Sequence, residues 1–515
     1  MIEETEGKKL QEKLFNKKEV GWNTLSDEEM NALMKFSDEY MYFLNNGKTE
    51  RECTSFAKKM LEENGFLEIN SKQDLKPGDR VYYINRNKNV YAAVIGNDKL
   101  ENGLNVIGAH IDSPRLDLKP NPLYEEGGFA YLKTHYYGGI KKYQWTTIPL
   151  AIHGVIVKPS GETITVKLGE TEEDPIFTIT DLLPHLAMEQ MDRKLREGVK
   201  GEDLNLLVGS IPFEDKNVNE KVKLNILKLL NEKYGIVESD LLSAELEIVP
   251  AFKAKSLGFD RSMVAAYGQD DKVCAYMALR AILDTKTPNK TAVIILSDKE
   301  EIGSMGNTGM ESLVFDMFIS ELLNKTGENR PDLIRKVFCN SKMLSSDVDA
   351  GFDPIYASVS DTKNAGFLGK GIALVKYTGA RGKSGASDAN AEFVAEVRNM
   401  FDKENIQYQF TELGKVDIGG GGTIAYILAN KGMDVIDCGV PVLSMHAPYE
   451  VTSKYDIWCA YRGYRAFYNW LKIKEVCGVK NNCDNSKKWI AQLFFVLKKG
   501  KIIVIWKDFK DESIF

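Results

Sequence analysis

Two adjacent carboxylates, Glu300 and Glu301, follow an apolar run that starts at Thr291 and reads Ala-Val-Ile-Ile-Leu. Two charges side by side at the end of such a run are unfavourable unless a cation holds them. Four more residues of metal-ligating type sit in comparable positions: His110, Asp270, Asp347 and His446. Imidazole and carboxylate donors suit zinc, cobalt or manganese. A dinuclear centre needs one carboxylate shared by both ions and further ligands on each. Two ions ~3.5–4 Å apart can activate one water and polarise a carbonyl. The residue set therefore points to a two-metal hydrolase.

Each piece has a plainer reading. In His110-Ile-Asp112, positions i and i+2 of a strand point the same way, so Asp112 can take the second ring N–H of His110; the pair could equally be a satisfied histidine beside a turn-forming acid. In Gln269-Asp270-Asp271-Lys272, Asp is favoured as a helix N-cap, so one carboxylate could cap while the other ligates. One of Glu300 and Glu301 can ligate while its neighbour stays free as a general base; the alternative is a solvated loop. Asp347 in Ser345-Ser-Asp-Val-Asp349 and His446 in Ser444-Met-His-Ala-Pro448 each follow an apolar strand. Five pieces in one topological position are harder to dismiss than any one of them, and the chain has only five His. The run Gly419-Gly-Gly-Gly422-Thr423 is either a flexible turn or a loop presenting N–H groups to a substrate. No Gly-Lys-Ser/Thr follows it, so it is not a phosphate loop.

These residues need rigid elements behind them. Ser26-Asp-Glu-Glu29 is a capping box opening a helix that runs to about residue 46, and a second helix is expected over 55–63. Strands are expected over 80–84, 90–95 and 104–108. The texture then becomes short β strands (131–137, 152–157, 163–166), with Pro159-Ser160-Gly161 as a hairpin turn, followed by a charged helix over 219–233. From Asp271 a helix over 272–283 alternates with strands over 291–296, 342–345, 372–377 and 440–445. That alternation predicts an α/β domain with a mostly parallel central sheet flanked by helices, interrupted by an inserted β-rich domain. Ligands at strand ends fit where open α/β sheets place their sites. The divisions expected are 1–115 and 253–475 for the α/β domain that carries the candidate ligands, 116–252 for the insertion and 476–515 for a C-terminal extension with a β hairpin.

The 515 residues are 43% hydrophobic and 27% charged, with a formal charge of −7. This is the composition of a soluble globular protein with no basic patch for nucleic acid. No apolar run of ~18 residues suggests a membrane span. The start, Met-Ile-Glu-Glu-Thr-Glu, lacks an apolar signal core, and seven dispersed cysteines without Cys-x-x-Cys pairs fit reduced thiols; a cytoplasmic protein is expected.

Over about residues 20–470 the chain resembles the aspartyl aminopeptidase/aminopeptidase I family of dinuclear metallopeptidases, in its bacterial, clostridial-type branch. The motifs that carry the resemblance are Gly108-Ala-His-Ile-Asp-Ser-Pro114, Asp270 with its following helix, Asp298-Lys-Glu-Glu-Ile-Gly-Ser304, Ser346-Asp-Val-Asp-Ala350 and Met445-His-Ala447. Tyr137-Gly-Gly139 and Pro184-His-Leu-Ala187 in the insertion are also similar. The resemblance implies a cytoplasmic metalloaminopeptidase that removes single N-terminal residues from peptides with a two-metal-activated water. It implies a β-rich dimerisation domain and a homo-oligomer, a dodecamer built from dimers. Carried over by position, Asp270 bridges two divalent ions, zinc foremost and cobalt or manganese as alternatives. His110 and Asp347 complete one ion, Glu301 and His446 the other. Glu300 is the general base, and Asp112 supports His110. His185 reaches a neighbouring subunit's site, and Lys376 contacts substrate; Gly422, from the glycine run read above as either a flexible turn or a loop presenting N–H groups, is a further substrate-binding candidate.

Two departures separate the chain from the eukaryotic members that prefer N-terminal Asp or Glu: Glu189 stands where they have a second His, and an aromatic is absent near Ser384-Gly-Ala-Ser387. The tail after about Cys477 has no counterpart in the resemblance. The ligand set alone also admits a carboxypeptidase, an amidohydrolase of N-acyl amino acids or a catalytically inactive assembly protein.

Overall fold

Local signals build the first helices. Ser26 and Glu29 close the expected capping box, with Glu29 N donating to Ser26 Oγ at 3.2 Å and Ser26 N donating to Glu29 Oε2 at 3.0 Å, and the helix runs Asp27–Asn46. The second helix, Glu50–Glu63, starts five residues before the expected 55. Thr49 and Glu52 form another capping box there, with reciprocal bonds of 3.3 Å. The computed structural model describes residues 5–15, 21–328, 330, 332–470, 494–498 and 501–505.

A nine-stranded mixed sheet forms the centre. Its order is Leu67–Glu68, Arg80–Asn85, Asn89–Val94, Ala292–Ser297, Asn105–His110, Lys342–Ser345, Asp434–Gly439, Ile372–Val375, Tyr408–Phe410. The four middle strands, from Ala292–Ser297 to Asp434–Gly439, are mutually parallel. Side chains alternate between two cores. Ile107, Ala109, Ile294, Leu344 and Ile436 pack with helices Gln269–Leu283 and Lys454–Asn469; Val106, Val293, Ile295, Met343 and Val435 pack with helices Val314–Lys325 and Leu333–Asn340. Helices on both faces explain why these strands read as unbroken apolar runs.

One expectation needs correcting. Residues 440–445 were expected as one strand of the parallel series. The central strand is instead Asp434–Gly439, and the chain then turns into Pro441–Leu443, a short strand of a separate five-stranded sheet. His446 therefore follows a second-sheet strand, and its backbone is left-handed at φ 65°.

Between Arg115 and Pro250 the chain forms a six-stranded antiparallel sheet. Its core includes Leu116, Trp145, Ile152, Leu206 and Ile248, and helix Lys221–Tyr234 lies over it. The turn over Pro159-Ser160-Gly161 joins Leu150–Val157 to Thr163–Leu168, with Gly161 at φ 89°. In the tail, Phe494–Lys498 pairs antiparallel with Lys501–Ile505, forming a unit by itself. Among the described residues no helix is long and apolar enough to cross a membrane.

Candidate metal centre

The parallel strands aim their carboxyl ends at one place. His110 is the last residue of Asn105–His110, in register with Ser297 at the end of the neighbouring strand. Glu300 and Glu301 begin the 3₁₀ turn just beyond Ser297, and Asp347 follows Lys342–Ser345 on the other side. Asp270 opens helix Gln269–Leu283, where the backbone at Asp270 and Asp271 is not yet helical, so its carboxylate faces the strand ends.

Two groups of possible ligand atoms result, His110–Asp270–Asp347 and Asp270–Glu301–His446, each with its atoms within 4.8 Å of one another. Asp270 belongs to both. Its Oδ1 lies 3.2 Å from His110 Nε2 and its Oδ2 lies 3.2 Å from His446 Nε2. Asp347 Oδ1 and Glu300 Oε2 each lie 3.8 Å from His110 Nε2, and Glu301 Oε2 lies 3.6 Å from His446 Nε2.

Burial would lower the His110 imidazole, but Asp112 and Asp270 push it well above its ordinary value. His446 is lifted to about 10 against its own burial, by Asp270 and Glu301. Burial raises Glu300 to about 7, and it raises Glu301 and Asp347 well above the carboxylate range. Burial thus disfavours the charged form of every one of these carboxylates, which crowd together around two imidazoles. A divalent ion would supply balancing positive charge and take the imidazole lone pairs. Glu301 Oε1 is buried without a hydrogen-bond partner among the described residues, a second sign that the donor set fits a metal.

Supporting groups surround the ligands. Asp112 accepts from Glu300 N at 3.1 Å and Glu301 N at 3.2 Å, and its Oδ1 lies 3.3 Å from His110 Nδ1. Asp271, which sequence left as an alternative to Asp270, instead accepts from the backbone N–H of His110 at 3.2 Å. Glu450 accepts from the backbone N–H groups of Gln269 (2.5 Å), Asp270 (3.1 Å) and His446 (2.8 Å), tying both sides of the site together. Sequence reading passed over Glu450; the one cue was an acid four residues after His446, inside an alternating stretch.

Chain topology brings His110, Asp112, Asp270, Glu300, Glu301, Asp347 and His446 together. Lys376 follows Ile372–Val375, and its ammonium lies 3.0 Å from Asp388. His185 sits on the exposed turn Pro184–Leu186. At Gly422 an added Cβ would meet nothing within 4 Å. The glycine run is held by Gly379 N, which donates to Gly421 O at 2.8 Å, and by Thr423 Oγ1, which donates to Asp437 at 2.7 Å. Beside Gly138 and Gly139 lies a cavity of about 600 Å³, also lined by Tyr136, Lys141, Tyr143 and Leu195. That volume is within the range of small-ligand sites.

Residues 43–468 match the family model described as aminopeptidase I zinc metalloprotease (M18). The chain belongs to the M18 family of metal-dependent aminopeptidases. A probable M18 family aminopeptidase 1 of Clostridium acetobutylicum is 52% identical over 452 residues, covering 87% of this chain and 97% of that one. The crystal structure of an M18 aminopeptidase from Thermotoga maritima superposes with a TM-score of 0.86 at 47% identity, covering 89% of this chain and all of the other. A structure of the S. cerevisiae mApe1 dodecamer shares the fold at 22% identity and a TM-score of 0.68, covering 84% and 96% of the two chains. The α/β architecture with its β-rich sheet is thus that of the M18 aminopeptidases.

Proposed function

We propose that this M18 chain removes single N-terminal residues from peptides, with two divalent ions held by the two groups that share Asp270. The observation that carries the reading is the symmetric placement of Asp270, one oxygen 3.2 Å from each imidazole. His110 and Asp347 would hold one ion, Glu301 and His446 the other. Ions bound there would supply Lewis-acid polarisation of the scissile carbonyl and make a water acidic enough to react near neutrality.

Glu300 belongs to neither group, and burial raises it to about 7. A carboxylate poised there suits a general base that takes a proton from water and returns it to the departing amine. Asp112 holds the backbone of Glu300 and Glu301 and selects the His110 tautomer that presents Nε2. Zinc suits the nitrogen and oxygen donors best, with cobalt and manganese as alternatives.

Peptides are the substrates in this reading. Residues 116–252 form an assembly domain, with Leu182, Leu186, Met188, Met191 and Leu195 exposed beside His185, apolar surface suited to a second copy. A dodecamer is the expected assembly, and sedimentation of the purified protein measures it. His185 would then serve a neighbouring copy's site, while Lys376 and Gly422 would line the substrate path.

The test is a panel of aminoacyl-p-nitroanilides (Asp, Glu, Leu, Met, Lys, Ala) with an N-acetylated control. Release from free-amine members alone supports the aminopeptidase. Release from the acetylated member as well would show that no free amine is needed and would overturn the aminopeptidase reading. No release with two metals bound would point to an inactive assembly protein.

A further inference from the structure

Three consecutive residues at the end of strand Phe129–Tyr137 and in the bend after it touch the metal centre. Tyr137, the buried last residue of strand Phe129–Tyr137, donates its hydroxyl to Asp112 Oδ2 at 2.9 Å. Gly138, at φ 73°, leaves space for Glu301: an added Cβ would lie 3.1 Å from Oε2 and 3.3 Å from the Glu301 Cβ. The Gly139 carbonyl accepts from His446 Nδ1 at 2.8 Å. This segment of the insertion therefore meets Glu301 and His446 directly and reaches the His110 side through Asp112.

The Tyr137 contact has the widest reach. The Asp112 carboxylate accepts from the backbone N–H groups of Glu300 and Glu301, Tyr137 is a further donor to it, and His110 Nδ1 lies 3.1 Å from the Asp112 main-chain carbonyl and 3.3 Å from its carboxylate. Two N–H groups on one turn leave a carboxylate free to pivot about them; a phenol arriving from another sheet fixes its plane. Tyr137 is itself immobilised. The Arg115 guanidinium covers its ring at 3.8 Å from the centroid, and Arg115 is paired with Asp117 (2.8 Å) and Glu247 (3.2 Å) and lies 3.7 Å from Glu50. Glu50 opens the helix Glu50–Glu63 and Glu247 lies in the strand Ala244–Pro250, so the guanidinium is clamped between the two parts of the fold.

We propose that Tyr137 is a positioning residue of the peptidase site: its hydroxyl locks Asp112, and through Asp112 it sets the placement of Glu300, Glu301 and His110. The inserted sheet is then part of the metal centre as well as of any assembly. The proposal rests on the two-group reading above and is tested by a readout that does not need turnover.

Tyr137→Phe removes one hydroxyl and keeps the ring. Zinc-loaded parent and variant are compared for the rate at which a chelator strips metal, for kcat and KM on the best free-amine substrate, and for the Tm of the metal-free protein. The expected result is metal loss about tenfold faster and kcat about tenfold lower, in the range for lost supporting contacts of metal ligands. KM should stay within twofold and the metal-free Tm should be unchanged. In an Asp112→Asn background the same substitution should add nothing. Metal retention and kcat both within twofold of the parent would overturn the proposal. So would losses that multiply in the double variant, or a metal-free Tm that falls along with activity, which would mark a merely structural role. If the parent cleaves no panel member, the aminopeptidase reading fails, while the stripping rates and the double-variant comparison still decide the role of Tyr137.

Discussion

The carbonyl of Gly139 accepts a hydrogen bond from Nδ1 of His446 at 2.8 Å, although the two residues follow strands of different sheets. A proton fixed on Nδ1 leaves Nε2, the atom facing Asp270 and Glu301, with its lone pair free for a metal. The preceding residue, Gly138, cannot carry a side chain without moving Glu301, and its φ of 73° disfavours any other residue. Gly138→Ala is therefore expected to weaken metal binding about tenfold, measured by competition with a fluorescent zinc chelator. Unchanged affinity would mean that Glu301 moves aside without consequence.

Glu300→Gln keeps the size of the side chain and removes the base. Turnover should fall by about 10²–10⁴-fold, the usual contribution of a general base, while metal content stays at the parent level. Near-full kcat with metal bound would exclude Glu300 as the proton acceptor.

Removal of the shared ligand and of a single-group ligand should separate. Asp270→Ala should lose both ions, since both groups contain it; Asp347→Ala should lose one, since only the His110 group contains it. Metal content by plasma emission after gel filtration gives the stoichiometry. Equal losses would argue against a bridging Asp270.

A buried charge cluster joins helix Glu50–Glu63 to the six-stranded sheet. His153 Nδ1 lies 3.0 Å from Glu52 and its Nε2 lies 3.1 Å from Glu170, whose other partner is Lys48. Burial opposes each charge, yet His153 is raised above its ordinary 6.5 and Glu52 is lowered from 4.5 to about 2. A raised histidine stabilises fully below 6.5, and that contribution is lost as pH climbs through its folded value. A lowered glutamate stabilises above 4.5 and loses that contribution as pH falls toward 2. The two windows overlap between about 4.5 and 6.5. His153→Leu should flatten the alkaline limb of a Tm-against-pH curve, and Glu52→Gln the acid limb. Parallel curves for parent and variants would show that the cluster does not couple folding to protons.

Much of the site was legible because ligand chemistry repeats at strand ends. His110, Glu300, Glu301 and Asp347 each follow an apolar run, and the sheet puts those ends side by side. The path to His446 was less legible. Asp434, Asp437, Cys438 and Gly439 interrupt the apolar pattern of the true central strand, although Asp437 is buried and satisfied by the hydroxyls of Ser345 and Thr423, both at 2.7 Å. A polar residue with distant donors reads as a loop until the donors are in place. Glu450 and Gly139 were missed as supports for the same reason, since their partners come from remote parts of the chain.

The order of the central strands has a consequence for synthesis on the ribosome. Asn105–His110 emerges early, but its neighbours in the sheet are Ala292–Ser297 and Lys342–Ser345, and Lys342–Ser345 in turn waits for Asp434–Gly439. His446 and Glu450 follow later still. Such long sequence separation delays closure of the sheet until nearly the whole of 1–470 has left the exit tunnel. A prematurely terminated chain therefore lacks one side of the ligand set, and catalytic competence itself certifies that translation of the fold was completed.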